Sequence, residues 1–209
     1  MPRGICSKLL NMLQYIVRGI NSAEIIDKAI TALKNTCKWI RLDVSLLSIS
    51  EQDNTIDIIR QSCKEYDAIL TVENDVEAVK RLKLDGLHLS NPSISAVDAR
   101  KDMGEEPIIG VTINNSSDVP FVPSTAVDYI EIDKSVDDVK VHSEIVKQMK
   151  SSGRDEPVIA HFGFIPTLSM LRASDVNGVS LDCSTTSAFE LKDLILTLES
   201  LAEERISSL

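Results

Sequence analysis

Residues 84–90 read Leu84-Asp85-Gly86-Leu87-His88-Leu89-Ser90 and predict the end of a helix, a tight turn and a buried strand. Glycine favours the left-handed position just past a helix C-terminus, and the apolar run after Gly86 ends at the polar Ser90. The pattern recurs in Val176-Asn177-Gly178-Val179-Ser180-Leu181-Asp182, and a looser version occurs in residues 126–132. This repetition indicates an α/β fold in which a ligand-facing loop follows each strand.

Short apolar runs alternate with amphipathic helical stretches along the rest of the chain, and the alternation gives eight βα units. The strands are predicted at residues 13–17, 37–42, 67–72, 86–89, 107–113, 129–132, 157–162 and 178–181. They are apolar throughout, without in/out alternation, as expected for strands covered on both faces. Eight such units close into a (β/α)8 TIM barrel more naturally than into a doubly wound sheet, and no G-x-G-x-x-G follows the first strand.

The connections and domain limits also follow from the pattern. Residues 114–125, which contain Pro120 and Pro123, are too short and too interrupted for a full helix between the fifth and sixth strands. The final helix is predicted at about residues 188–206. Because no Pro- or Ser-rich linker divides the chain, we expect one barrel domain over residues 13–209, preceded by a short N-terminal extension over residues 1–12.

Composition narrows the classes of partner and compartment. The chain has 209 residues and a formal net charge of −10, whereas a nucleic-acid binder normally presents a basic face and an anionic membrane attracts basic segments. Neither partner is therefore expected. Four cysteines are far apart and form no CxxC pair, which favours reduced, mostly buried thiols over a zinc or redox motif. No signal peptide or membrane-length apolar run is recognisable, so we expect a cytoplasmic protein.

Several short motifs follow one another with the spacing of a known family. They are Gln14-Tyr15-Ile16, Lys38-Trp39-Ile40-Arg41-Leu42, Glu73-Asn74-Asp75, Asp85-Gly86-Leu87-His88-Leu89, Ile108-Ile109-Gly110-Val111-Thr112 and Val176-Asn177-Gly178-Val179. From residue 13 onward the chain resembles thiamine-phosphate synthase and its relative, the thiazole tautomerase. The resemblance implies a (β/α)8 barrel in thiamine biosynthesis. It also implies a transferase that joins a hydroxymethylpyrimidine pyrophosphate to a thiazole phosphate and releases pyrophosphate with the help of Mg²⁺.

The resemblance also implies a set of site residues on the loops that follow the strands. Substrate- or phosphate-binding positions fall on Arg41, Asp43, Asn74, Thr112, Lys134, Gly163, Phe164, Cys183 and Ser184. Asp75 matches a metal-binding carboxylate, and Ser93 stands near the place of the second one. The expected ligand is a small phosphorylated heterocycle, the expected metal is Mg²⁺ held at Asp75, and a homodimer is the assembly considered.

The match departs from the family at the positions that hold pyrophosphate. The family carries Gln-Leu-Arg-x-Lys after the second strand, where this chain has Arg41-Leu42-Asp43-Val44-Ser45. The Thr/Lys-rich loop after the sixth strand is the short, acidic stretch 133–138, and the Gly-Gly-Ile turn becomes Gly163-Phe164-Ile165. Arg41 and Lys134 are the obvious rim cations. Because the acidic side chains at these positions repel a polyanion such as pyrophosphate, we expect pyrophosphate-releasing synthase activity to be weak or lost.

The sequence is also compatible with two other functions. In addition, several of the candidate residues could have a purely structural role. The chain could be a non-catalytic binding or regulatory homologue, or a thiazole-phosphate tautomerase-like isomerase in which His161 carries the proton. Asp75 could cap a helix instead of binding metal, and Cys183 fits a buried thiol better than a nucleophile. His88 is expected inside the barrel, and His142 on a solvated helix face.

Overall fold

Eight parallel strands pair in sequence order and close into a barrel, so the (β/α)8 TIM barrel is confirmed. The computed structural model describes residues 12–207. The strands are Met12–Arg18 (β1), Trp39–Asp43 (β2), Ile69–Glu73 (β3), Gly86–Leu89 (β4), Ile108–Ile113 (β5), Tyr129–Ile132 (β6), Val158–Phe162 (β7) and Gly178–Asp182 (β8). Residues 1–11 of the predicted N-terminal extension lie outside the described residues, and β1 begins at its last residue, Met12.

Helices cover the outside of the barrel. They are Ser22–Lys34 (α1), Ile49–Glu65 (α2), Val76–Leu82 (α3), Ala96–Met103 (α4), Val139–Ser151 (α5), Leu168–Ser174 (α6) and Leu191–Ser207 (α7). Between β5 and β6 the chain forms a 3-10 helix, Ser116–Phe121, with Pro120 inside it, which agrees with the prediction of an interrupted segment. A second 3-10 helix, Ala188–Glu190, precedes α7. No described helix is long and apolar enough to span a membrane.

Gly86 has a different role from the one that its sequence context predicts. Lys83, with φ of 51°, takes the left-handed position at the end of α3, while Gly86 is the first residue of β4. A Cβ atom on Gly86 would lie 2.3 Å from the carbonyl oxygen of Ile108 on the neighbouring strand. The glycine is therefore needed for close strand packing and not for the helix end.

Two separate apolar clusters hold the fold together. The larger one lies between the barrel and its helices and includes the outward-facing Leu87, Ile109 and Ile130. A smaller cluster fills the inside of the barrel and contains Trp39, Ile69, Ile108, Tyr129 and Ile159. Burying such side chains contributes roughly 1.5–3 kcal/mol each to folding.

The prediction that the strands lack alternation is wrong. Outward-facing strand residues are apolar, but polar and charged side chains at alternate positions point into the barrel and are buried there: Gln14, Arg41, Thr71, His88, Glu131 and Ser180. Helices cover the outer face of the sheet, and the polar side chains on the inner face form hydrogen bonds with one another. Polar and apolar residues therefore alternate along the strands although both faces of the sheet are buried.

His142 is buried, so the prediction of a solvated position is also wrong. Its Nε2 atom lies 2.7 Å from the carbonyl oxygen of Val136, and its ring packs edge-on against Phe162 with centroids 5.5 Å apart. The ring faces the barrel because His142 shares one side of α5 with Ile145 and Met149.

Candidate functional site

A cavity of about 290 Å³ opens at the carboxyl ends of the strands, where TIM barrels place their active sites. Six of the residues singled out from the sequence line it: Arg41, Asp43, Asn74, Thr112, Lys134 and His161. The other lining residues are Arg18, Ser45, Glu73, Ser90, Glu131 and Asp133. The predicted Asp75, Gly163, Phe164, Cys183 and Ser184 do not line it.

Arg41 lies inside the barrel between two carboxylates. Its side chain is 3% exposed, Nη1 lies 2.6 Å from Oε2 of Glu131, and Nε lies 3.0 Å from Oε2 of Glu73. Nη1 also donates to Oε1 of Gln14 over 2.9 Å. Burial acts to lower the pKa of Arg41, but the two carboxylates outweigh it and raise the pKa above its ordinary value. Arg41 is therefore not the free rim cation that the sequence predicts.

Glu131 is an ionised carboxylate held by several donors. Burial acts to raise its pKa, but the positive charge of Arg41 outweighs burial, so the pKa lies well below the ordinary value for glutamate. The Oγ hydroxyl of Ser180 donates to Oε2 over 2.5 Å, and that of Thr112 donates to Oε1 over 3.2 Å. Because these bonds stabilise the charged form, Glu131 is a fixed anion and a poor proton acceptor.

The hydrogen bonds that lead away from Arg41 have a direction that can be assigned. Arginine has only donors, so the atom of Gln14 that faces Arg41 is its carbonyl oxygen, and its amide nitrogen must donate to Tyr129 Oη, 3.0 Å away. Tyr129 then directs its own proton to Nδ1 of His88, at 2.7 Å. This direction assigns Nδ1 of His88 as an acceptor and places the proton of the ring on Nε2.

The same direction continues back to Glu131. Nε2 of His88 donates to Oγ1 of Thr112 over 2.8 Å, and the Thr112 hydroxyl donates to Glu131. Since Glu131 is paired with Arg41, the donors and acceptors form a closed ring across strands β1, β2, β4, β5 and β6. Every member of the ring makes at least two of these hydrogen bonds, which holds the interior polar groups in one arrangement.

Arg18 is a second arginine between two carboxylates. Its Nη2 lies 2.9 Å from Oδ2 of Asp182, and its Nη1 lies 3.8 Å from Oδ2 of Asp43. Arg18 and Asp43 are register partners on β1 and β2. Burial acts to raise the pKa of Asp182, but its hydrogen bonds from Ser184 and the charge of Arg18 lower the pKa below its ordinary value. Arg18 therefore offsets part of the negative charge at the rim of the barrel.

His161 is one of the cavity residues with a buried polar atom that has no hydrogen-bond partner among the described residues. The residue is 5% exposed and lines the cavity, its Nδ1 lies 4.0 Å from Oε1 of Glu131, and its buried Nε2 has no hydrogen-bond partner among the described residues. Burial is the main reason that its pKa falls below the ordinary value, so His161 is neutral at pH 7. An unpaired imidazole nitrogen can accept a hydrogen bond or a proton from a ligand.

The backbone amides after β8 are already used by the chain. The amide of Cys183 donates to the carbonyl oxygen of Ile16, and that of Ser184 donates to Oδ1 of Asp182. The Cys183 thiol bonds the backbone of Arg18, accepting from its N–H and donating to its carbonyl oxygen. Neither residue presents the free phosphate-binding amide that the resemblance implies.

The turn after β7 is different. Within residues 12–207, no hydrogen bond engages the backbone amides of Gly163, Phe164 and Ile165. A Cβ atom on Gly163 would meet nothing within 4 Å, so the glycine faces open space. Phe164 is exposed, and its ring lies 5.9 Å from that of Phe162. This turn keeps unsatisfied donors at the barrel rim.

The residues that resemble a magnesium site take part in local hydrogen bonds. Asp75 caps α3 by accepting the amide of Ala78 over 2.8 Å, which agrees with its structural reading. Asn74 uses its side-chain oxygen to accept the amides of Ser90 and Asn91. In the part of the chain that the structure describes, no group of three or more His, Cys, Asp or Glu side chains could hold a metal. A magnesium ion held at Asp75 therefore stays a prediction, because Mg²⁺ is commonly bound by one or two carboxylates together with the phosphates of a substrate.

Sequence reasoning missed Glu73 and Glu131 as members of the site and Arg18 as its second arginine. All three occupy inward-facing positions of strands, together with Arg41 and His161. Period-two polarity along each strand was the signal that would have found them.

Comparisons with known proteins agree with the resemblance. The family model described as thiamine monophosphate synthase matches residues 13–137. A thiamine-phosphate synthase of Bacteroides fragilis is 30% identical over 181 residues, which cover 81% of this chain and 89% of that protein. One of Bacteroides thetaiotaomicron is also 30% identical, over 81% of this chain and 87% of its own length. The structure of a thiamine phosphate pyrophosphorylase from Pyrococcus furiosus shares the fold, with a TM-score of 0.74 at 17% identity over 94% of this chain and 98% of that one. The chain belongs to the thiamine monophosphate synthase family.

Proposed function

We propose that this chain is a thiamine-phosphate-synthase-like barrel in thiamine biosynthesis that binds a phosphorylated thiazole or pyrimidine, with pyrophosphate-releasing transfer weak or lost. The observation that carries the proposal is the pairing of both cavity arginines. Arg18 lies between Asp182 and Asp43, and Arg41 lies between Glu131 and Glu73. Both arginines are thus already paired with carboxylates of the chain, which weakens the attraction that either can offer a polyanion.

Electrostatics sets the scale of the effect. Two like charges about 4 Å apart repel by about 1 kcal/mol in water and about 4 kcal/mol at an effective dielectric constant of 20. A pyrophosphate placed in the cavity would face Asp43, Glu73 and Asp133. Lys134 is the lining cation that has no ion pair among the described residues, and it is exposed. One exposed lysine offsets only part of this repulsion.

A single phosphate has a better-matched site than a pyrophosphate. The free amides of Gly163, Phe164 and Ile165 and the ammonium of Lys134 belong to loops that follow strands of the same rim. Backbone N–H groups and one lysine suit a monophosphate, because they supply donors and one charge without a metal. We therefore expect the phosphate of the ligand at this turn and its ring in the cavity.

A second candidate function is a thiazole-phosphate isomerase, and His161 favours it. A tautomerisation moves a proton between two positions of one ligand and needs no pyrophosphate grip. The unpaired Nε2 of the neutral His161 could take that proton and return it, since imidazole titrates near neutral pH.

Turnover and binding assays test the proposal together. Purified protein is supplied with hydroxymethylpyrimidine pyrophosphate, thiazole phosphate and Mg²⁺, and thiamine phosphate formation is followed. Thiazole phosphate alone is titrated calorimetrically against the wild type and against Gly163→Ala. We expect binding of thiazole phosphate that Gly163→Ala weakens, with little or no thiamine phosphate formed. Efficient Mg²⁺-dependent turnover, or the absence of any binding, would refute the proposal. Loss of thiazole-phosphate isomerisation in His161→Gln would favour the second candidate.

A further inference from the structure

We infer that the cavity selects a ligand whose ring carries a positive charge. The inference deepens the proposed function and rests on it only for the location of the ligand. Each cavity arginine is held by two carboxylates, so each of the two clusters keeps one uncompensated negative charge. These charges lie inside or at the mouth of the 290 Å³ cavity, where solvent screens them less than on an open surface.

The unused atoms of the cavity point to the same class of ligand. Oε2 of Glu73 is buried and contacts Arg41 only as an ion pair, without an aligned hydrogen bond. On His161, Nδ1 faces the carboxylate of Glu131, which favours the proton on Nδ1 and leaves the buried, unpartnered Nε2 as an acceptor. Nε of Arg18 and of Arg41 also lacks a hydrogen bond, but both guanidinium groups are already ion-paired. The two acceptors are therefore the groups that a ligand with N–H donors or a cationic ring satisfies.

The positive groups of the site lie farther out than the buried carboxylates. Lys134 and the free amides at Gly163 lie on rim loops, whereas Glu73 and Glu131 are more deeply buried. This order of charges suits a zwitterionic ligand that places a cationic nitrogen heterocycle inward and a phosphate outward. An anionic headgroup placed inward would meet carboxylates instead of cations.

A pair of probes that differ only in charge tests the inference without any phosphate. The neutral probe is 4-methyl-5-(2-hydroxyethyl)thiazole, and the cationic probe is the same ring methylated at nitrogen, a permanent thiazolium. Each is titrated calorimetrically into the wild-type protein at low and at high salt. We expect the thiazolium to bind at least tenfold more tightly at low salt, with the preference reduced by added salt.

Two substitutions that remove charge but keep shape identify the groups responsible. Asp43→Asn and Glu73→Gln should each reduce the thiazolium preference by about fivefold to tenfold, because each removes one carboxylate that the cation approaches. Asp53→Asn is the matched control, since Asp53 is 47% exposed and pairs with Arg81 outside the cavity. It should leave the preference unchanged. Thermal unfolding of each variant verifies that the fold is kept.

Several results would overturn the inference. They are equal or tighter binding of the neutral ring, no binding of either probe, an unchanged preference in both cavity variants, or displacement of the thiazolium by micromolar Mg²⁺. Because neither probe carries a phosphate, failure here differs from failure of the proposed function. A protein that binds thiazole phosphate but shows no charge preference refutes the inference alone. One that prefers the thiazolium but does not bind thiazole phosphate refutes the proposed function alone.

Discussion

Arg41 and Glu131 lie 2.6 Å apart inside the barrel although 90 positions separate them in the sequence. The pair joins β2 to β6 and is extended by Glu73 on one side and by Gln14 on the other. A buried ion pair of this kind adds little to stability compared with apolar residues of the same size, but it makes the interior intolerant of losing one partner. In the proposed function, this pairing also leaves Arg41 less able to attract a pyrophosphate.

Arg41→Ala should lower the free energy of unfolding by about 3–5 kcal/mol, because it leaves buried carboxylates without their cation. Urea denaturation of both proteins at pH 7 measures the loss. Arg60→Ala is the control, since Arg60 pairs with Asp57 on the outside of α2 and its loss should change stability little. If Arg41→Ala is no more harmful than Arg60→Ala, the description of the interior network is wrong.

The ring of hydrogen bonds predicts the tautomer of a histidine. His88 should carry its proton on Nε2 and use Nδ1 as an acceptor, and nitrogen NMR shifts report this directly. Tyr129→Phe removes the donor to Nδ1 of His88 and the acceptor of Gln14, so we expect a loss of about 1–3 kcal/mol from buried groups left unpaired. A proton found on Nδ1 in the wild type would contradict the assigned direction.

Substitution by alanine should affect the stability of the protein very differently at two glycines. A Cβ atom on Gly110 would lie 1.9 Å from Cζ of Tyr129, whereas one on Gly163 meets nothing within 4 Å. We expect Gly110→Ala to destabilise the barrel by about 1–3 kcal/mol or more through overpacking. Gly163→Ala should change stability by less than about 0.5 kcal/mol and affect only ligand binding. Equal melting temperatures for the two variants would show that the close approach at Gly110 is incorrect.

Buried histidines make stability depend on pH in a defined direction. Burial lowers the pKa of His161 and of His142 below the ordinary value of 6.5, so the unfolded chain binds protons more readily than the folded one. The free energy of unfolding should therefore fall as the pH drops below about 6.5, by at most about 1.4 kcal/mol per pH unit for each histidine.

Denaturation of the wild type and of His142→Gln between pH 7.5 and pH 5.5 checks this direction. The variant should lose part of the pH dependence. An identical slope in the two proteins would mean that His142 does not contribute as its burial implies.

Local pattern was sufficient for the architecture. β4 and β6 begin and end at the residues predicted for them, because each is a short apolar run bounded by polar residues. The burial of His142 could also have been predicted from the sequence. It precedes Ile145, Val146 and Met149 at the spacing of one helix face.

The site was less accessible to sequence reasoning because its interactions are distant in the chain. Glu131 stands between two isoleucines and is hidden in an apolar strand, and nothing local indicates that Arg41 is its partner. Arg18 becomes relevant only once the pairing of β1 and β2 brings it beside Asp43. Burial and pairing decided whether each cation is free, and neither property is encoded in a short motif.

Calorimetric titration of pyrophosphate with Mg²⁺ into the wild-type protein tests the central claim most directly. The claim is that Arg18 and Arg41 are ion-paired with the carboxylates around them and therefore do not bind a polyanion. We predict no binding in the micromolar range, at low or at physiological salt. Micromolar binding of pyrophosphate in the presence of Mg²⁺ would contradict the account.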